Sequence, residues 1–213
     1  MIKLYDYLPC PYGQKVRIAL AEKSLNYELI EVDVTRGANR RPEFIRLNPF
    51  GRVPVLIDDE TTVYDSTIVI EYLEDEYPEP PLLPALNSSA LRARARQFED
   101  FADTSFTPQV GQLMAEQAKA EAERDPTRIQ RVQRGLENIL NYINRELEGQ
   151  EFLAGPFSVA DIAFAPRLLV LKEMGFEAAF NRPHVEGWIK RLSERAAIAN
   201  LKGLSVEPLP GAA

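Results

Sequence analysis

The run Asn48-Pro49-Phe50-Gly51-Arg52-Val53-Pro54-Val55-Leu56-Ile57-Asp58-Asp59-Glu60-Thr61-Thr62-Val63-Tyr64-Asp65-Ser66 decides how the first third of the chain is read. Residues 53–57 and 61–64 are rich in apolar and β-branched side chains and read as two strands joined by the acidic turn Asp58-Asp59-Glu60. Asp65 and Ser66 follow directly. Both are strong helix-capping residues, and they open a helix carrying Ile68, Val69, Ile70, Tyr72 and Leu73.

Toward the N-terminus, residues 2–7 alternate apolar and polar side chains, as a strand does. The Pro9-Cys10-Pro11 break ends it. Val16, Ile18, Ala19, Leu20 and Ala21 then read as a mostly buried helix, with Pro11 in its first turn, where its missing N–H leaves no partner wanting. Residues 27–34 read as a second strand, and residues 39–47 as a short helical segment with Pro42 near its start. The order strand, helix, strand, helix, strand, strand, helix fits a small α/β unit with a mixed four-stranded sheet over residues 1–76.

Toward the C-terminus, Tyr77-Pro78-Glu79-Pro80-Pro81-Leu82-Leu83-Pro84 is too proline-dense for a helix or a central strand, so residues 77–87 read as a linker. Residues 88–213 then read as an all-helical domain. Residues 88–123 form a long helical stretch that Pro108 kinks or splits, and Asp125-Pro126-Thr127 opens a second helix. Residues 157–172 are strongly apolar and residues 183–195 amphipathic. Ser158 and Asp161 have capping-box spacing, a folding role.

The formal charge of -7 argues against sequence-independent nucleic-acid binding, which needs clustered Lys and Arg. No apolar run approaches the roughly 20 residues that span a bilayer, and no secretion signal is seen. One cysteine among 213 residues then fits a reducing cytoplasm. No cluster has metal-ligand spacing, and no glycine-rich loop suggests a nucleotide. The single histidine, His184, follows Pro183 and reads as a surface or capping residue.

Cys10, at the predicted start of a helix, is the most reactive candidate. Helix dipoles and free N–H groups favour the thiolate and can lower a cysteine pKa below its usual value of roughly 8.5. The competing reading is a half-buried packing cysteine.

Four segments together resemble the cytosolic glutathione transferase superfamily: Cys10-Pro11-Tyr12, the Asn48 to Pro54 loop, Asp65-Ser66 and Phe157-Ser158-Val159-Ala160-Asp161. Cys10-Pro11-Tyr12 is similar to its cysteine-type, omega-like branch. The resemblance implies a thioredoxin-like N-terminal domain, an all-α C-terminal domain, glutathione as co-substrate and a homodimer. It implies that Cys10 is the nucleophile and forms a mixed disulfide with glutathione, as in thioltransferases or dehydroascorbate reductases. Val53, before a cis Pro54, would present its backbone to the cysteinyl part. Asp65 and Ser66 would receive the γ-glutamyl ammonium and carboxylate. Arg41 would bind the glycyl carboxylate, with Arg40 and Arg52 as competitors. Tyr12, Phe106, Gln109 and Met114 would line the pocket for a small electrophilic or disulfide co-substrate, and Tyr5, Tyr7 and Tyr12 are rivals for activating the glutathione thiol. Two alternatives follow from the same comparison. One is a conjugating, isomerising or dehalogenating transferase. The other is a non-catalytic binding protein, since residues 21–23 and 71–78 are similar to the stringent starvation regulators.

Overall fold

In the computed structural model, which describes residues 1–177 and 181–208, strand β1 (Ile2–Asp6) lies between β2 (Tyr27–Glu31) and β3 (Val55–Asp58), and β4 (Thr61–Tyr64) flanks β3. β1 pairs with β2 in parallel and with β3 antiparallel, and β3 and β4 form an antiparallel hairpin. The parallel pair requires a crossover, which α1 (Pro11–Glu22) supplies. The acidic turn closes the hairpin with Asp59 at φ 48°, a left-handed position that aspartate tolerates better than most side chains. The helical segment expected over 39–47 resolves into a 3-10 turn, Ala38–Arg40, and the helix α2 (Pro42–Leu47).

Alternation along β1 buries Ile2, Leu4 and Asp6. Leu4 and Leu56 face α1 and α3 (Ser66–Glu76) in the main core, while Val55 packs with Val32 and Phe44 of α2 in a smaller cluster. The sheet is therefore covered on both faces.

The proline-dense segment is pinned rather than loose. Lys23 Nζ donates to the carbonyls of Tyr77 (2.7 Å) and Pro80 (3.0 Å) and pairs with Glu74 (2.6 Å). The Glu74 carboxylate in turn accepts the N–H groups of Leu82 and Leu83.

The second half is helical: α4 (Ser89–Phe101), α5 (Thr107–Gln117), α6 (Pro126–Glu146), α7 (Val159–Glu173), α8 (Pro183–Glu194) and α9 (Ala196–Ala199). The long stretch does break near Pro108, but the change falls before it. Ala102–Phe106 form a π-helical turn, and Pro108 sits in the first turn of α5. The Ser158 capping box forms. One oxygen of Asp161 accepts the Ser158 N–H (3.0 Å), and the other accepts the Leu153 N–H (3.1 Å) and Trp188 Nε1 (2.8 Å). α7 is buried almost throughout and packs on α1, so its side chains reach the start of α1. The core is continuous from Leu4 and Leu20 through Phe106 and Phe164 to Trp188. Residues 209–213, the end of the expected helical domain, lie outside the described residues.

Candidate functional site

Local sequence explains how the loops around the sheet edge are shaped. The Val53–Pro54 peptide bond is cis, as the family resemblance implied. The loop before it is held by Asn48, which donates from Nδ2 to the Arg52 carbonyl (2.7 Å) and accepts the Phe50 N–H (3.0 Å). Asp65 caps α3 through Oδ1, which accepts the N–H groups of Thr67 (3.0 Å) and Ile68 (3.4 Å). Its φ of 75° is the left-handed region that non-glycine residues adopt rarely and at a cost, a strain typical of functional positions.

These pieces meet in one cleft of about 600 Å³. Val53, Pro54, Asp65 and Ser66 line it, as does Tyr12 from the start of α1. The fold thus brings together four of the five residues assigned to glutathione from sequence. Arg41 is the exception. It is exposed at the N-cap of α2 and does not line the cleft, whereas Arg52 does. The Arg52 carbonyl is held by Asn48 in the loop that leads into the cis Val53–Pro54 bond, while Arg41 starts α2 outside it.

The cleft also contains Asp103, which the sequence reading missed. The π-helical turn carries it, and its side chain is 17% exposed. Lys15 Nζ, 1% exposed, pairs with Asp103 (2.6 Å) and Glu99 (2.7 Å) and donates to Thr67 Oγ1 (2.9 Å). One lysine of α1 therefore ties α3 and α4 to the wall of the cleft. The available signal was a lone lysine within the apolar run of α1. Burial raises the Asp103 carboxyl pKa and Lys15 opposes the rise.

Cys10 corrects the expected thiolate. It is the N-cap of α1, but it is 5% exposed and does not line the cleft. Burial pushes its thiol up to about 12, and Asp6 adds to the rise; the N–H groups of Gly13 and Tyr12, and Arg167, act weakly the other way. A helix N-terminus favours a thiolate only where the charge is solvated or paired, and desolvation wins here. The C-terminal segment is tied to α1 nearby. Arg17 donates to the Lys202 carbonyl (2.8 Å), and Gln14 donates to the carbonyls of Gly203 (2.8 Å) and Leu8 (3.2 Å).

The expected co-substrate pocket is also revised. Phe106 and Met114 are fully buried core residues, and Gln109 points its amide at Gly135 of α6. Of the four, Tyr12 lines the cleft. Its hydroxyl donates to the Asp103 carbonyl (3.2 Å), and burial raises its pKa to about 12. Tyr12 also borders a second cavity of about 230 Å³ toward the helical half.

Among the described residues no group of His, Cys, Asp and Glu is placed to hold a metal ion, and no helix is long and apolar enough to cross a membrane.

Comparison with known proteins agrees with this architecture. Residues 4–81 match the family described as Glutathione S-transferase, N-terminal domain, and residues 102–196 match Glutathione S-transferase, C-terminal domain. The chain is 30% identical to Glutathione S-transferase 3 of Zea mays over 98% of its length and 96% of that protein. It is 32% identical to a zeta-class glutathione S-transferase of Euphorbia esula over 87% of its length and 79% of that protein. Among solved structures it resembles glutathione transferase URE2P6 of Phanerochaete chrysosporium in complex with oxidized glutathione, with a TM-score of 0.82, 31% identity and 94% of each chain covered. The chain belongs to the glutathione S-transferase family, with that family's thioredoxin-like domain followed by its helical domain.

Proposed function

We propose that this protein binds glutathione in the cleft bordered by Val53, Pro54, Asp65 and Ser66 and joins the glutathione sulfur to a small electrophile. The observation that carries this is the gathering of those four residues, with Arg52 and Asp103, in one cleft of about 600 Å³. Glutathione carries one ammonium and two carboxylates. Asp65 and Asp103 suit the ammonium, while Arg52 and the N-terminus of α3 suit the carboxylates. The second oxygen of Asp65 makes no hydrogen bond to the described residues, so it is available to a ligand. The backbone of Val53 would pair with the cysteinyl part as an added strand does. The similar structure that holds oxidized glutathione supports the choice of ligand.

A thiol raised to about 12 is protonated at neutral pH, and Cys10 does not line the cleft, so the glutathione sulfur itself is the nucleophile. The glutathione sulfur attacks the electrophile and forms the S–C bond. The glutathione thiol gives its proton to solvent before the attack, and the leaving group departs from the electrophile with its electron pair. The alternative is thiol transfer, in which the Cys10 thiolate attacks a glutathione disulfide and expels glutathione thiolate, and a second glutathione then cleaves the mixed disulfide. The N–H groups of Tyr12 and Gly13 and the nearby Arg167 favour it, since all three pull the thiol pKa down. A cytoplasmic location is proposed from the single cysteine, and a homodimer from the family resemblance alone.

Titration calorimetry with glutathione tests the site. Ser66→Ala and Arg52→Ala should each weaken binding at least tenfold, and Arg41→Ala should leave it within twofold. Absence of binding by the parent protein would sink the reading and leave a non-catalytic role. A panel of aryl-halide conjugation and mixed-disulfide reduction, run on the parent and Cys10→Ser, separates the chemistries. Conjugation should survive the substitution; loss of strong disulfide reduction would favour thiol transfer.

A further inference from the structure

Arg167 is a buried charge with little to partner it among the described residues. It projects from the middle of α7 and is 3% exposed. Among the described residues no carboxylate lies within ion-pairing distance of it, although every other buried lysine or arginine has one: Lys15 has Glu99 and Asp103, Arg17 has Asp6, and Lys23 has Glu74. Its one hydrogen bond is from Nη1 to Met114 Sδ (3.4 Å), a weak acceptor, and its buried Nε has no partner.

The ionisable groups facing it are Cys10 and Tyr12, and both are held protonated by burial, with pKa values near 12. Neither supplies a counter-charge at neutral pH. A buried cation without an anion is costly, and the cost is removed when an anion arrives. Space exists for one. Arg167 lines the cavity of about 230 Å³ together with Tyr12, Thr107, Gly111 and Gln112. The side chain absent at Gly111 keeps that cavity open, because nothing lies within 4 Å of where its Cβ would stand.

We propose that this cavity is an anion-recognising subsite in which Arg167 binds a carboxylate carried by the electrophilic co-substrate. Tyr12 borders both this cavity and the cleft, so a molecule seated on Arg167 lies next to the glutathione position. The term co-substrate rests on the proposed glutathione reading; the anion site does not. A planar carboxylate matches the guanidinium fork, and the polar side chains of Thr107 and Gln112 complete the wall.

The test is calorimetric titration of the full-length protein with 4-nitrobenzoate and with its neutral analogue 4-nitrobenzamide, with and without saturating glutathione. The benzoate should bind at least tenfold tighter than the amide. Arg167→Gln should erase that preference while leaving glutathione affinity within twofold. Gly111→Leu, which fills the cavity and leaves the guanidinium in place, should reduce benzoate binding at least tenfold. Equal affinity for the two probes in the parent protein overturns the proposal without any variant, as does a preference for benzoate that survives in both variants. Failure of glutathione to bind while the benzoate preference persists would overturn the transferase reading alone.

Discussion

Lys15 and Asp103 meet at 2.6 Å across the junction between the sheet domain and the helical domain, with Glu99 2.7 Å from the same ammonium. The ammonium is almost fully buried, so this pair joins the domains and also holds the Asp103 carboxylate at the edge of the cleft. Lys15→Met removes the cation and leaves two carboxylates in an apolar setting. Breaking a buried pair in this way costs about 3–5 kcal/mol. Denaturant unfolding should record a loss of that size. A change under about 1 kcal/mol, the scale of an exposed pair, would mean that the site is solvated.

Gly13 has a role that helix propensity would misjudge. Alanine is favoured over glycine inside a helix by about 1 kcal/mol. Yet a Cβ at Gly13 would stand 1.7 Å from Asp6 Oδ1, and Asp6 is fixed by its pair with Arg17 (3.0 Å). Gly13→Ala should therefore destabilise the protein by more than about 2 kcal/mol, the scale of overpacking a core. A melting temperature equal to or above the parent's would contradict it.

Asp6 sets a pH dependence of stability. Burial raises its carboxyl to about 7 in the folded protein, although Arg17 opposes the rise. The unfolded value is 3.8. Between these two values the folded state holds more protons than the unfolded state, so stability falls as pH rises across that window and is level above it. Melting curves from pH 4 to 8 for the parent and for Asp6→Asn should differ in slope over that window, with the parent losing stability more steeply toward pH 7. Parallel curves would show that Asp6 does not titrate there.

Cys10 should be slow toward alkylating reagents. With the thiol raised to about 12, the free protein at pH 7 holds roughly a thousandfold less thiolate than an ordinary cysteine. Intact mass after iodoacetamide should show little modification in the time that glutathione is consumed, with the rate still rising at pH 9. Modification as fast as that of glutathione would restore Cys10 as a free nucleophile and with it the thiol-transfer route.

The strands, the hairpin turn, the Asp65 cap and the Ser158 capping box were legible because each depends on residues a few positions apart. The cleft wall of Val53, Pro54 and Asp65-Ser66 was legible through the family resemblance, and the hairpin between the two loops explains how the fold brings them together. Arg41, assigned through the family resemblance, lies at the exposed N-cap of α2 and outside the cleft, a placement that a matching motif does not fix. Phe106, Gln109 and Met114 share the helical spacing of any core stripe, and only packing shows that they face inward or toward α6.

The sequence by itself determined the order of elements, the two-domain plan and the family, since these follow from local periodicity, caps and motifs. The tertiary structure alone decided the electrostatics. Whether Cys10 is a thiolate, whether Lys15 is paired and whether Arg167 is left without an anion all depend on how α7, α4 and the C-terminal segment close over α1. Desolvation and Coulomb energy act between groups adjacent in space, and these lie far apart along the chain.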